Sequence, residues 1–291
     1  MTTADGSTRS VVITGASTGI GEACALHLDE LGWRVFASVR NIADGEALQA
    51  KSSARLLPVY IDVTDAASIA SAREIVTREL GVHGLTCLVN NAGIVVAAPL
   101  EFVPLDDVRR QFEVNVIGTI AATQAFLPLI RKARGRIVNI GSDNGRLSLP
   151  IMGPYCASKF AIEALTDALR IELAPWGIEV VLIEPGNIAT PIWRKSLVAA
   201  RSIEAGLPSE YQRLYGSQVA SVRAFAAEFG TRGSQPLAVA KMVARALYER
   251  RPATRYQVGL DARATTTLVR FLPDRLLDRL IRRLLNLPKR V

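Results

Sequence analysis

The sequence predicts a doubly wound α/β fold: a parallel sheet with helices on both faces, in a single main domain. Three observations lead there. Short runs rich in β-branched residues recur along the chain, longer stretches with helical spacing separate them, and the first run passes straight into a glycine-rich turn that opens a helix. Strands that are apolar along their whole length are buried on both faces, which is the condition of a parallel sheet. A chain of 291 residues with 49% apolar content can bury one full core of this kind.

In order, the expected strands are SVVITG (10–15), WRVFASV (33–39), LLPVYIDV (56–63), LTCLVNNAG (85–93), RIVNIGS (136–142) and IEVVLIEPG (178–186). Helical spacing covers 19–31, 66–80, 105–131 and 155–174, with Thr64 or Asp65 as N-cap of the second. After Gly186 the alternation breaks. Residues 187–236 carry Pro191, Trp193, Pro208, Tyr211 and Tyr215, and such an insertion belongs over a pocket. A last strand near Tyr256–Gly259 closes the sheet. Residues 1–262 thus make the main domain, and 263–291 form a basic, leucine-rich tail.

Composition excludes several functions. Cys24, Cys87 and Cys156 are the only cysteines, far apart and in apolar runs, so reduced buried thiols and a cytoplasmic setting are expected. The start is polar, and no uncharged apolar stretch of about 18 residues is evident, so neither a secretion signal nor a membrane span is expected. With His27 and His83 as the only histidines, no metal centre is expected. The net charge of +8 is concentrated at the end, where residues 262–291 hold eight Arg or Lys against two Asp. No basic stripe with interleaved aromatics is present, so nucleic acid is not an expected partner.

The turn Thr14-Gly15-Ala16-Ser17-Thr18-Gly19-Ile20-Gly21 has a mechanical logic. Gly15 permits a tight turn, Gly19 lets backbone approach a pyrophosphate, and Gly21 lets the helix pack on the strand, while free N–H groups at the helix start attract phosphate. An ordinary strand-to-helix turn uses glycines too, so the turn alone decides little. Its spacing, G-x-x-x-G-x-G, differs from the common dinucleotide fingerprint. At the end of the second strand, where an NAD enzyme offers a carboxylate to the ribose, stand Val39 and Arg40. A guanidinium pairs with a 2′-phosphate that a carboxylate repels, which favours NADP(H) over NAD(H). Asp62-Val63 and Asn91-Ala92-Gly93 end the third and fourth strands, and ligands of open α/β sheets bind at such ends.

Tyr155 and Lys159 lie four apart on one helix and share a face. A phenol titrates near pH 10, and a neighbouring ammonium is expected to lower that value and make Tyr155 a usable acid or base. Ser142 ends a strand thirteen residues earlier, placed to hold a substrate oxygen. Asn115, inside FEVNVIGT, is expected to bend its helix around a water that links Lys159 to solvent.

Together these residues resemble the short-chain dehydrogenase/reductase family in its single-domain form, over roughly residues 9–190. T-G-x-x-x-G-x-G, Asp62-Val63, N-N-A-G at 90–93, Asn115, Ser142, Y-x-x-x-K at 155–159 and Pro185-Gly186 occur in the family's order. The resemblance implies a Rossmann fold, a catalytic tetrad of Asn115, Ser142, Tyr155 and Lys159, and a further bond from Lys159 to the nicotinamide ribose. It implies that Pro185, Gly186, Ile188 and Thr190 line the nicotinamide, and that the chain forms a homodimer or homotetramer. The one departure, I-G-S before Ser142 where many members have I-S-S, leaves the chemistry intact.

The resemblance is greatest to the retinol- and steroid-dehydrogenase-like branch, with its V-x-A-x-x-R second strand. With the apolar, aromatic insertion, it implies an apolar carbonyl or alcohol as substrate. In the tail, Leu276, Leu277, Leu280, Ile281, Leu284 and Leu285 form one stripe beside Arg275, Arg279, Arg282 and Arg283. Such a helix lies on an anionic membrane, giving peripheral association, or packs on the domain or a second subunit. A catalytically silent NADP(H)-binding sensor or scaffold, or a peripheral membrane protein acting through its tail, are the alternatives in other classes.

Overall fold

The computed structural model describes residues 9–288, with the side chains of 229–232 excepted. The polar start and the tail's Lys289 and Arg290 lie outside the described residues. The chain runs β1 (Ser10–Ile13), α1 (Gly19–Glu30), β2 (Arg34–Val39), α2 (Ile42–Gln49), β3 (Leu56–Tyr60), α3 (Ala66–Leu80), β4 (Cys87–Asn90), α4 (Leu105–Phe112), α5 (Gly118–Ala133), β5 (Arg136–Ile140), α6 (Gly153–Leu173), β6 (Glu179–Pro185), α7 (Pro191–Ala205), α8 (Ser209–Arg232), α9 (Pro236–Tyr248), β7 (Arg255–Val258), α10 (Leu260–Phe271) and α11 (Asp274–Leu284). The seven strands are all parallel, in the order β3-β2-β1-β4-β5-β6-β7. The order reverses between β1 and β4, and there the sheet's carboxyl ends open a crevice.

Alternation along the strands divides the core. Val11, Ile13, Val35, Ala37 and Val89 face α1 and α9, while Val12, Phe36 and Leu88 face the Phe126 and Ile130 of α5 and the Ala72 and Val76 of α3. Both faces are covered, as fully apolar strands require. The helical segment Leu105–Ala133 is long and apolar enough to cross a membrane by length and composition, which the sequence reading did not register. Ala122, Phe126 and Ile130 are nevertheless fully buried against the sheet. The three thiols are buried and unpaired, and burial raises them, Cys24 to about 12 and Cys156 to about 11.

Several boundaries differ from expectation. The helix expected over 105–131 is interrupted by a π-helical turn at Glu113–Ile117. Of the two N-cap candidates for α3, Asp65 caps, accepting from the Ala67 N–H at 2.9 Å, while the Thr64 hydroxyl turns back to Asp62. Helices α2, α9 and α10 lie outside the expected helical segments. α2 carries Gly45 in its middle and starts through the Asn41 cap on Asp44 N–H, and α9 was hidden behind the insertion. That insertion itself is helical, since Pro191 sits in the first turn of α7 and Pro208 is the N-cap residue of α8, positions where a missing N–H is harmless.

Candidate active site

Where β1 meets α1, Thr14 ties the two central strands together. Its hydroxyl accepts from the Asn91 and Ala92 N–H groups at 2.9 and 3.0 Å, and Asn91 Nδ2 donates to the carbonyls of Thr14 and Gly15. Gly15 and Gly19 adopt positive φ of 66° and 65°. A Cβ on Gly15 would lie 2.9 Å from the Ala92 backbone, and one on Gly21 would lie 2.2 Å from the Gly15 carbonyl. No side chain caps α1 at Thr18, so its first N–H groups remain available to an anion.

These residues border a cavity of about 470 Å³ at the carboxyl ends of the strands. Of the expected cofactor residues, Gly15, Ser17, Thr18, Gly19, Ile20, Arg40, Asp62, Val63, Asn91, Ala92, Gly93, Tyr155, Lys159, Pro185, Gly186, Ile188 and Thr190 all line it. Gly21 stands behind the turn. Arg40 is exposed at the rim, and its charge reaches Asp62. The Asp62 carboxyl is held below its ordinary value chiefly by the Thr64 hydroxyl and N–H.

Ser142, just beyond β5, is buried, accepts from the Asn144 N–H, and lines the cavity together with Tyr155. Tyr155 rises from the first turn of α6. Lys159, one turn on, is buried and donates to the Ile140 carbonyl at 2.8 Å, with its Nζ 5.9 Å from the Tyr155 ring centre. Asn115 does not line the cavity. It sits in the π-helical turn, bonded to both backbone groups of Ile94 and to Ser158 Oγ at 3.0 Å. The helical regularity breaks at Asn115 as a single π-helical turn, a local widening of the helix.

One expectation is corrected. Lys159 is expected to lower the Tyr155 pKa, yet burial outweighs the opposing influence of Ser142 and raises it. Burial also lowers Lys159, to about 8, and its ammonium is directed at the Ile140 carbonyl rather than at the phenol oxygen. A phenol in such surroundings is held in its neutral, proton-donating form near neutral pH.

The remaining wall was not foreseen. Leu147, Leu149 and Met152 precede α6, Val222 and Phe225 come from α8, Thr265 and Leu268 from α10, and Leu284 and Leu285 from the end of α11. Asp143 and Asp261 also line it, and Asp261 accepts the Asn187 N–H in a short hydrogen bond. The tail stripe splits. Leu277, Ile281 and Leu285 pack on Val222 and Phe225, whereas Leu276, Leu280 and Leu284 are exposed.

The sequence profile of the short chain dehydrogenases matches residues 9–200. The chain belongs to that family. This short-chain dehydrogenase is 35% identical over 277 residues to the NADPH-dependent 3-dehydrocapnine reductase of Ornithobacterium rhinotracheale, covering 94% of this chain and 95% of that one. It is 37% identical over 276 residues to retinol dehydrogenase 7 of Mus musculus, covering 93% and 87%, and it falls in a retinol-dehydrogenase-like branch. A short-chain dehydrogenase/reductase from Burkholderia phymatum, solved in complex with NAD, superposes with a TM-score of 0.77 at 25% identity, covering 94% and 95%. The enzyme is accordingly an oxidoreductase acting on CH–OH donors with a nicotinamide dinucleotide as acceptor.

Proposed function

We propose that the enzyme interconverts an apolar ketone or aldehyde with its alcohol, prefers NADP(H), and uses Tyr155 as its acid and base. The observation that carries this reading is that Ser142, Tyr155 and Lys159 line the same cavity as the glycine turn. The donor set suits the cofactor: positive-φ glycines leave room for a pyrophosphate at a helix start, and Arg40, on the cavity rim just after β2, offers a guanidinium to a 2′-phosphate. NADP(H), when bound, supplies or takes up a hydride.

The protein's part is proton handling and position. Ser142 holds the substrate oxygen, and Tyr155, kept neutral by burial, gives that oxygen a proton in reduction and recovers it in oxidation. Lys159 holds a charge beneath Tyr155 and fixes the nicotinamide ribose. Asn115 positions α6 through Ser158. Leu147, Leu149, Phe225 and Leu268 make the substrate wall apolar. The exposed Leu276, Leu280 and Leu284, beside Arg275, Arg279 and Arg283, support contact with an anionic membrane surface, from which an apolar substrate would enter past Leu284.

A panel of retinoids, steroids, long-chain ketones and short polar ketones, followed by NADPH absorbance, tests the reading. Turnover of apolar members that Tyr155→Phe abolishes is expected. Turnover confined to small polar ketones sinks the apolar assignment, and NADH outperforming NADPH sinks the role of Arg40.

A further inference from the structure

Ser142, the Tyr155–Lys159 pair and the Pro185–Gly186 wall come from separate segments of the chain, and a guanidinium outside the cavity joins them. Arg146 ends the short turn Asp143–Gly145, whose Gly145 N–H bonds back to the Ser142 carbonyl at 2.9 Å. Its Nε donates to Glu184 at 3.0 Å and its Nη2 to Glu163 at 2.9 Å. Glu184 is fully buried and directly precedes Pro185 on β6. Glu163, also buried, stands one turn beyond Lys159 and two beyond Tyr155, so the three share one side of α6. The turn and the helix are in close contact, since a Cβ on Gly145 would lie 3.1 Å from both Glu163 Cγ and the Lys159 carbonyl oxygen.

Arg146, Glu163 and Glu184 are not among the residues that border the cavity, and proton and hydride transfer give them no direct task. A buried ion pair is also a weak source of stability, because desolvation offsets the attraction and apolar side chains could join these segments as firmly. What a guanidinium adds is direction, since its planar fork meets carboxylates at fixed angles. Spacing is what the reaction needs, and a misplacement of about 1 Å can cost roughly a hundredfold in rate.

We propose that Arg146 is a positioning residue: by holding Glu184 and the ionised Glu163 together, it sets the Ser142 hydroxyl, the Tyr155 phenol and the nicotinamide wall at their working distance. The proposal rests on the proton-transfer reading of Ser142 and Tyr155 and extends it to a group outside the cleft. The charges facing Glu163 are Glu184 from β6, Arg146 from the turn and Arg255 from β7 at 3.1 Å, with Asp167 of α6 bound to the same Arg255. Burial and Glu184 outweigh the two arginines and push the Glu163 carboxyl up to about 7. Acid therefore discharges Glu163 and weakens the bridge, whereas a neutral phenol acting without such a bridge would donate its proton equally well at lower pH.

Reduction of phenanthrenequinone, a planar apolar diketone, by the NADPH-loaded enzyme tests this. Wild-type kcat should fall at least about threefold from about pH 8 to pH 6, and the emission of bound NADPH, which reports the nicotinamide wall, should change over the same range. Arg146→Met should lower kcat at least about tenfold at the upper pH, while KM and the NADPH dissociation constant stay within about threefold. Glu163→Gln, uncharged at every pH, should keep a low kcat with no step near 7. Wild-type kcat and emission that stay level overturn the proposal. So does a step that survives Glu163→Gln, which would belong to another group such as Asp143 or Lys159, and so does an Arg146→Met enzyme retaining more than about half of wild-type kcat. If Arg146→Met does not fold, the wild-type and Glu163→Gln profiles decide alone. A wild type that binds NADPH but leaves the quinone unreduced defeats the apolar-carbonyl reading, and the emission change, present or absent, then decides the positioning by itself.

Discussion

The crevice between β1 and β4 and the wall built after β6 border one cavity but are made in different ways. The first is fixed by backbone: two positive-φ glycines, a carbonyl 2.2 Å from where a Gly21 Cβ would stand, and the Thr14 and Asn91 bonds that lock β1 to β4. The second is assembled from side chains distant in sequence, with Leu149 before α6 meeting Val222 and Phe225 of α8 and Leu285 beyond α11. Backbone geometry tolerates little change, whereas an apolar wall can be repacked at modest cost. The cofactor half should therefore respond to substitution abruptly and the substrate half by degrees.

Tyr155 stands where the halves meet, and its loss should be the largest single effect. Tyr155→Phe removes the proton donor while keeping the ring, so kcat is expected to fall about 10²- to 10⁴-fold. Because neither half is disturbed, NADPH affinity, read by fluorescence titration, should change little. A variant retaining more than about a tenth of wild-type kcat would show that another group moves the proton.

Gly15→Ala tests the rigid half. It adds a Cβ at positive φ, 2.9 Å from the Ala92 backbone, and about 1–3 kcal/mol of stability should be lost, measurable by urea unfolding, with weakened NADPH binding. Gly206→Ala, between α7 and α8, has φ of −95° and meets only the Ile203 carbonyl at 3.6 Å. It should be close to neutral. Equal losses at the two positions would erase the contrast between the halves.

The same contrast explains what the sequence revealed. The glycine turn, Asp62, the Asn91 segment, Ser142 and the Tyr155–Lys159 pair act through spacing within one turn or one strand end, and spacing is visible in a linear chain. The sheet was legible because fully apolar runs fit little else. α2 was missed because its eight residues include Gly45 and it depends on the Asn41 cap. The helices of 187–236 were missed because prolines read as interruptions when they mark helix starts. Asp143 and Asp261 had no periodic signature, since only the approach of α10 to the end of β5 brings them together. The Tyr155 pKa was misjudged for a related reason: sequence shows the neighbouring ammonium but not the burial that opposes it.

Arg40 sharpens the comparison within the cofactor half, because it is exposed and held by no described ion pair. Arg40→Ala should weaken NADPH binding about tenfold and leave NADH nearly unchanged, since a charge-assisted hydrogen bond is worth about 1.5–3 kcal/mol and exposure reduces that. The ratio of the two dissociation constants is the measurement. An unchanged ratio would mean that the guanidinium never meets the 2′-phosphate.

The smallest effect on stability is expected at the outer edge of the substrate half. Leu276 and Leu280 lie on the face of α11 turned away from Ile281 and Leu285, which pack on α8. Replacing both with Ser removes little buried area, so unfolding stability should stay within about 0.5 kcal/mol. Sedimentation with phosphatidylglycerol vesicles should nevertheless fall, because the leucine row flanked by Arg275 and Arg279 is the surface that would enter the headgroup layer. If stability holds and sedimentation is unchanged, the exposed leucines do not meet a bilayer. The tail would then act only through its inner row, as a wall of the substrate cavity.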